Sequence, residues 1–185
     1  RKESSAASDV YKRQVFFSLE GWASRVHLIP PDVDLDAITD LNVISEFTAT
    51  LEAKKVTPTV EVDTKWVLYT SGTTGEPKAI EHSLQSLART VSKGEKVTEL
   101  IWGMIYDPNR MAGIQVLLQA IYTGTRIVSP HSSLPIGERI QFMKDNDVNS
   151  LSATPTLWRQ VLQCPQADDW NLSQITLGGE IADQK

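Results

Sequence analysis

From Trp66 onward the chain alternates between two kinds of stretch. Runs rich in β-branched, aromatic and other apolar residues occur at 66–69, 100–106, 126–128, 148–153 and 175–177. Between them, apolar residues recur at helical spacing over 83–91, 111–122, 135–145 and 154–162. Parallel strands cannot be joined by tight turns; they need crossovers of a dozen or more residues, usually helices. The alternation therefore predicts an α/β fold, a mostly parallel sheet flanked by helices. In such sheets ligands collect where strand ends give way to loops.

Local chemistry sets the boundaries. Ser83 is placed to cap a helix, and Gly94 to follow its end. Asp107-Pro108-Asn109 reads as a turn. Thr123-Gly124 stops the next helix. Thr154 caps another, with Pro155 in its first turn, where the missing N–H costs nothing. Before Trp66 the signals are weaker. Residues 26–29 read as a strand stopped by Pro30 and Pro31. Residues 15–19 read as a strand or helix end, and 31–41 as an acidic loop. Residues 43–53 carry helix-like spacing, and 57–62 read as a second short strand or an extended linker.

The stretch 66–78 combines these signals. A strand-like Trp66-Val67-Leu68-Tyr69 runs into Thr70-Ser71-Gly72-Thr73-Thr74-Gly75-Glu76-Pro77-Lys78, and Ile80-Glu81-His82 continues extended. Backbone N–H groups, hydroxyls and an ammonium in such a loop can hold phosphate oxygens. Glycine lets the backbone come close. The loop is not a Walker A motif, because Glu76-Pro77 separates Gly75 from Lys78. It is not a dinucleotide G-x-G-x-x-G, because no glycine stands two places before Gly72.

The 70–78 segment resembles the phosphate-loop motif of the adenylate-forming superfamily, the AMP-binding enzymes. That superfamily takes in acyl-CoA synthetases, luciferases and the adenylation domains of nonribosomal peptide synthetases. Gly178-Gly179-Glu180, after the run at 175–177, resembles the family segment that borders adenine. The likeness spans about 15–185, part of the family's large N-terminal domain. The texture at 106–118 and 150–158 is most similar to the acyl-CoA synthetase branch, which would imply fatty acid metabolism.

The resemblance implies ATP as a substrate and a carboxylic acid joined to it as an acyl-adenylate, with CoA as the second substrate. A carrier-protein thiol in place of CoA, or a nucleotide-binding module without catalysis, are the alternatives. It implies that Thr70, Ser71, Gly72, Thr73, Thr74, Gly75 and Lys78 embrace the β- and γ-phosphates. Thr70 would help to hold Mg2+, and Gly178, Gly179 and Glu180 would line the adenine side. Where many relatives have a histidine, this chain has Arg110, three residues before Gly113. Either Arg110 meets an anionic part of the substrate, with residues 107–110 shaping the acyl pocket, or it is a surface arginine at a turn. Ala79 stands where glycine is common. The family's distal magnesium-binding glutamate, ribose-binding aspartate and adenylation lysine are not among these 185 residues, so this stretch alone is expected not to catalyse adenylation.

Residues 4–14 resemble the in-frame translation of a transposon-end adapter, and residues 1–14 are set aside as a non-native tail. The expectation is a gene fragment with one partial domain at 15–185. The net charge of -5 argues against nucleic acid as a main partner. No apolar run reaches the roughly 18 residues of a membrane span. Cys164 is the one cysteine, which excludes a disulfide framework and a thiolate metal cluster. A cytoplasmic protein is the simplest expectation. Trp66, Trp102 and Trp158 read as core, Trp170 as half-buried, and His27 and His82 as ordinary core-edge or surface histidines.

Overall fold

The computed structural model describes residues 19–21, 23–34, 62–70, 77–92 and 99–180. Seven strands and four α-helices are formed among them. They are β1 (Arg25–Leu28), β2 (Lys65–Thr70), β3 (Lys78–His82), α1 (Leu84–Leu87, continued by a 3-10 turn at Ala88–Thr90) and β4 (Ile101–Gly103). Then come α2 (Met111–Thr123), β5 (Arg126–Val128), α3 (Ile136–Lys144), β6 (Ser150–Ala153), α4 (Pro155–Leu162) and β7 (Gln174–Leu177). The expectations at 43–53 and at Gly94 fall outside the described residues.

Two sheets form, not one. The first has the order β1-β2-β3, the second β5-β4-β6-β7. The second is parallel throughout, as the alternation requires. In the first, β1 and β2 are parallel, but β3 runs antiparallel to β2. A seven-residue connection is too short for a crossover, so the chain can only double back.

Side-chain alternation then assigns the layers. Trp102 and Met104 face one way from β4, toward Trp66 and Leu68 of β2, Leu87 of α1, and the buried stripe of α2. Ile101 and Ile105 face the other way, with Val128 and Leu151, against Ile140 and Met143 of α3 and Trp158 and Val161 of α4. Helices α1 and α2 thus share one core with strands of both sheets, and α3 and α4 cover the far face of the second. Trp66 is fully buried, and its indole N–H donates to Glu20. Trp170 is half-buried and donates to the Val148 carbonyl.

Two side-chain amides in these layers are paired across elements, while the buried Trp102 indole N–H, Arg139 Nε and Ser150 hydroxyl have no partner among the described residues. The Gln119 amide accepts from the Ser92 N–H and donates to the Ser92 carbonyl, both at 2.9 Å, fastening α2 to the segment after α1. The Asn149 amide accepts from the Ile101 N–H at 2.7 Å and donates to the Glu99 carbonyl at 3.1 Å, setting β4 against β6. Each would be costly to leave unmade in the interior. The expected caps are present. Ser83 accepts from the Ser86 N–H, and Thr154 from the Leu157 N–H.

Candidate functional site

The two ends of the phosphate-like loop are held face to face. Thr70 closes β2 and Lys78 opens β3, and they are direct partners in the antiparallel register. Both are exposed. The Thr70 hydroxyl lies 3.5 Å from the Lys78 carbonyl. Ser71, Gly72, Thr73, Thr74 and Gly75 lie outside the described residues. No carboxylate among the described residues pairs with the Lys78 ammonium. A hydroxyl and an ammonium on a loop root suit an anionic, oxygen-rich ligand. They fit the outer phosphates of a nucleotide. No cluster of three or more His, Cys, Asp or Glu side chains gathers among the described residues. The exposed Thr70 hydroxyl is an oxygen donor of the kind a magnesium ion accompanying phosphate would accept as a ligand.

The second glycine-rich stretch follows β7. Gly179 has φ +82°, in the left-handed region, and a Cβ there would stand 3.4 Å from the Thr154 methyl. Glu180 turns toward the start of α4 and accepts the Thr156 N–H at 3.0 Å. Hydrogen bonds from the Thr156 side chain, the Thr156 N–H and the Thr154 side chain hold its carboxyl below the usual carboxylate range. Glu180 therefore sits on the free N–H groups and the positive dipole end of a helix. The geometry brings Gly178, Gly179 and Glu180 together as one anchored turn.

Between these stretches lies the end of β4. Arg139 of α3 donates to the Ile105 carbonyl at 2.5 Å, bracing the residue before Tyr106. Burial pushes the Tyr106 hydroxyl up from its ordinary value, and the neighbouring Ser152 side chain partly opposes this. Asp107 accepts the Asn109 N–H at 2.8 Å, forming the expected turn. Gly113, in the first turn of α2, lies under that turn. A Cβ there would fall 2.1 Å from the Asp107 carbonyl oxygen. Tyr106 and Ser152 were not singled out from sequence. The clue was a tyrosine ending one apolar strand and a serine within another, each common in a plain core.

Arg110 has a partner within the chain. Its guanidinium stands 2.5 Å from both carboxylate oxygens of Asp32, which follows β1. The pair is charge-assisted, and it holds the Asp32 carboxyl below the usual range. Asp32 lies just past the C-terminal end of β1, and Arg110 past that of β4. Their contact therefore joins the C-terminal edges of the two sheets. Strand β2 is parallel to β1, and β7 runs parallel to β6 and β4. The loop root at Thr70 and the turn at 178–180 accordingly open on the same side of the molecule.

The two lowered carboxyls contribute to the acid response. Asp32 and Glu180 bind fewer protons in the folded chain than in the unfolded chain. Their stabilisation is complete above their ordinary values of 3.8 and 4.5, and is lost as pH falls through the lower folded values. Urea denaturation across that window should show a shallower acid limb for Asp32→Asn and Glu180→Gln than for the parent. Parallel limbs would remove both contacts from the account.

A family model described as "AMP-binding enzyme" matches residues 12–184. The chain belongs to this family. Curated relatives of this AMP-binding chain include a PKS-NRPS hybrid synthetase, acdB, of Aspergillus candidus. It is 24% identical over 139 residues, 66% of this chain and 5% of that protein. Syringomycin synthase SyrB1 of Pseudomonas syringae pv. syringae is 28% identical over 129 residues, 63% of this chain and 20% of that protein. The chain thus spans a fifth or less of these relatives. Among solved structures, the N-terminal domain of FACL13 from Mycobacterium tuberculosis aligns with TM-score 0.57 at 18% identity. That alignment covers 70% of this chain and 34% of the other. The Klebsiella oxytoca NpsA N-terminal subdomain, in complex with 3-hydroxybenzoyl-AMSN, aligns with TM-score 0.56 at 20% identity, covering 66% and 33%. At these identities the structures speak for the fold, which is that of the N-terminal part of adenylate-forming enzymes. No helix among the described residues is long and apolar enough to cross a membrane.

Proposed function

We propose that this chain is part of an ATP-dependent acid–thiol ligase. The enzyme would join a carboxylate to ATP, release pyrophosphate, and pass the acyl group from the adenylate to a thiol. One observation carries the reading: in an AMP-binding enzyme, the register partners Thr70 and Lys78 frame a glycine- and hydroxyl-rich loop at a strand's C-terminal end. Negative charge grows on pyrophosphate as it leaves. Lys78, the loop hydroxyls of Ser71, Thr73 and Thr74, and N–H groups freed by Gly72 and Gly75 would stabilise it where it develops. Magnesium, with the Thr70 hydroxyl among its ligands, would supply further neutralisation of the phosphate oxygens. Gly178 and Gly179 would flank the adenine, on a turn that Glu180 secures to α4.

CoA is the proposed thiol. Transfer to a carrier-protein thiol is the second reading, and the curated relatives favour it, since one is a PKS-NRPS hybrid synthetase and another a syringomycin synthase. The test is pyrophosphate release by the complete gene product over a panel of carboxylic acids, followed by CoA consumption against carrier acylation. Carboxylate-dependent release is expected from the complete product and not from these 185 residues alone. A complete product that releases none with any acid would leave only nucleotide binding.

A further inference from the structure

His27 and Tyr69 make a contact that the reading above does not use. They lie on adjacent parallel strands. The register pairs His27 with Val67, so Tyr69, two residues on, projects from the same face. The His27 Nδ1 and the Tyr69 hydroxyl are 2.7 Å apart, with the rings tilted at 35° and their centroids 6.0 Å apart. The contact is a hydrogen bond in either tautomer of the imidazole. Tyr69 is buried, and it packs with Val33, Val67 and Ile29 on the outer face of the first sheet. That cluster is small, so one hydrogen bond matters more there than in the main core. Burial lowers the pKa of His27, Arg25 on the same strand lowers it further, and Glu81 on β3 partly opposes them. The ring is therefore neutral near pH 7.

Tyr69 is the last residue before Thr70, where the loop departs. Strand β2 is the central strand of its sheet, so the direction in which it ends sets the course of the chain at Thr70. We propose that His27 is a positioning residue for the phosphate loop, acting through the Tyr69 hydroxyl to pin the end of β2. The proposal rests on the phosphate role given to that loop. A loop that must meet phosphate oxygens tolerates little displacement: about 1 Å of misplacement at a reacting group can cost about a hundredfold in rate.

The test is the affinity of the complete gene product for MgATP and for AMP, by calorimetry, with a thermal melt of each variant. AMP lacks the outer phosphates and reports the rest of the site. Tyr69→Phe and His27→Phe are expected to weaken MgATP roughly tenfold and AMP less than about twofold. The double variant should be no worse than either single one, because both remove the same link. His27→Gln, which can still bond the hydroxyl, should recover most of the MgATP affinity. Equal losses for MgATP and AMP, or no recovery by His27→Gln, would reduce the pair to a general packing contact. Unchanged MgATP affinity in Tyr69→Phe, with a loss in Lys78→Ala, would overturn the positioning role alone. Unchanged affinity in Lys78→Ala as well would overturn the phosphate role of the loop.

Discussion

Gly113→Ala is expected to destabilise the fold, although helix propensity points the other way. Exchanging glycine for alanine inside a helix contributes about 1 kcal/mol in favour of the helix. Here the new methyl would stand 2.1 Å from the Asp107 carbonyl oxygen, 2.7 Å from its carbon, and 2.9 Å from Pro108 Cα. All three are backbone atoms of a tight turn and cannot swing aside as a long side chain would. Overpacking of this kind costs about 1–3 kcal/mol, and the turn or the helix must shift as a whole. The clash outweighs the propensity gain. A melting temperature lower by several degrees is expected, since about 1 kcal/mol moves a domain of this size roughly 2–4 °C. An unchanged or raised value would mean that α2 and the turn are not in close contact. The effect should reach Tyr106, which begins the same turn.

Lys78→Ala should slow adenylation about a hundredfold in the complete gene product, while binding of the acyl-adenylate changes little. A preorganised donor aimed at developing charge is worth about 10²–10³ in rate. Lys78 is exposed, which places it at the lower end of that range. The acyl-adenylate has already lost pyrophosphate, so an ammonium that serves the outer phosphates has nothing to hold in that complex. Pyrophosphate release and equilibrium binding of the acyl-adenylate separate the two effects. Equal losses in both would assign Lys78 to the nucleotide's inner half, or to the fold.

Much of this architecture was legible because local chemistry fixes local structure. Pro30, Ser83, Gly124, Thr154 and Pro155 each carry a conformational preference that neighbours do not override, and the elements begin or end beside them. The strands at β4 to β7 were visible as apolar runs between helices. The division into two sheets was not. Nothing in the runs at 26–29 or 80–82 says which strand each will pair with, because pairing is a property of two distant segments. The site followed the same rule. The loop and the Gly178-Gly179-Glu180 turn could be found as words in the sequence. The links that orient their surroundings, Asp32 with Arg110, Glu180 with Thr156, and His27 with Tyr69, join residues from 24 to 78 positions apart. Arg110 and Glu180 stood out in the sequence for other roles, and Asp32, Thr156, His27 and Tyr69 resembled ordinary surface or core.

The opposition of Thr70 and Lys78 also makes the loop a matter of phase. Side chains on a strand change face at every residue. A single residue inserted into β3 would leave Trp66 and Leu68 in the core, since both belong to β2. Yet Lys78 would turn to the opposite face from the one it now shares with Thr70, and the loop would lose its cation. Strand β3 buries little of its own surface, and its pairing with β2 keeps it in step. The least buried strand of the sheet thus sets the phase of the loop root, and a register error there would act on the placement of Lys78 more than on the core.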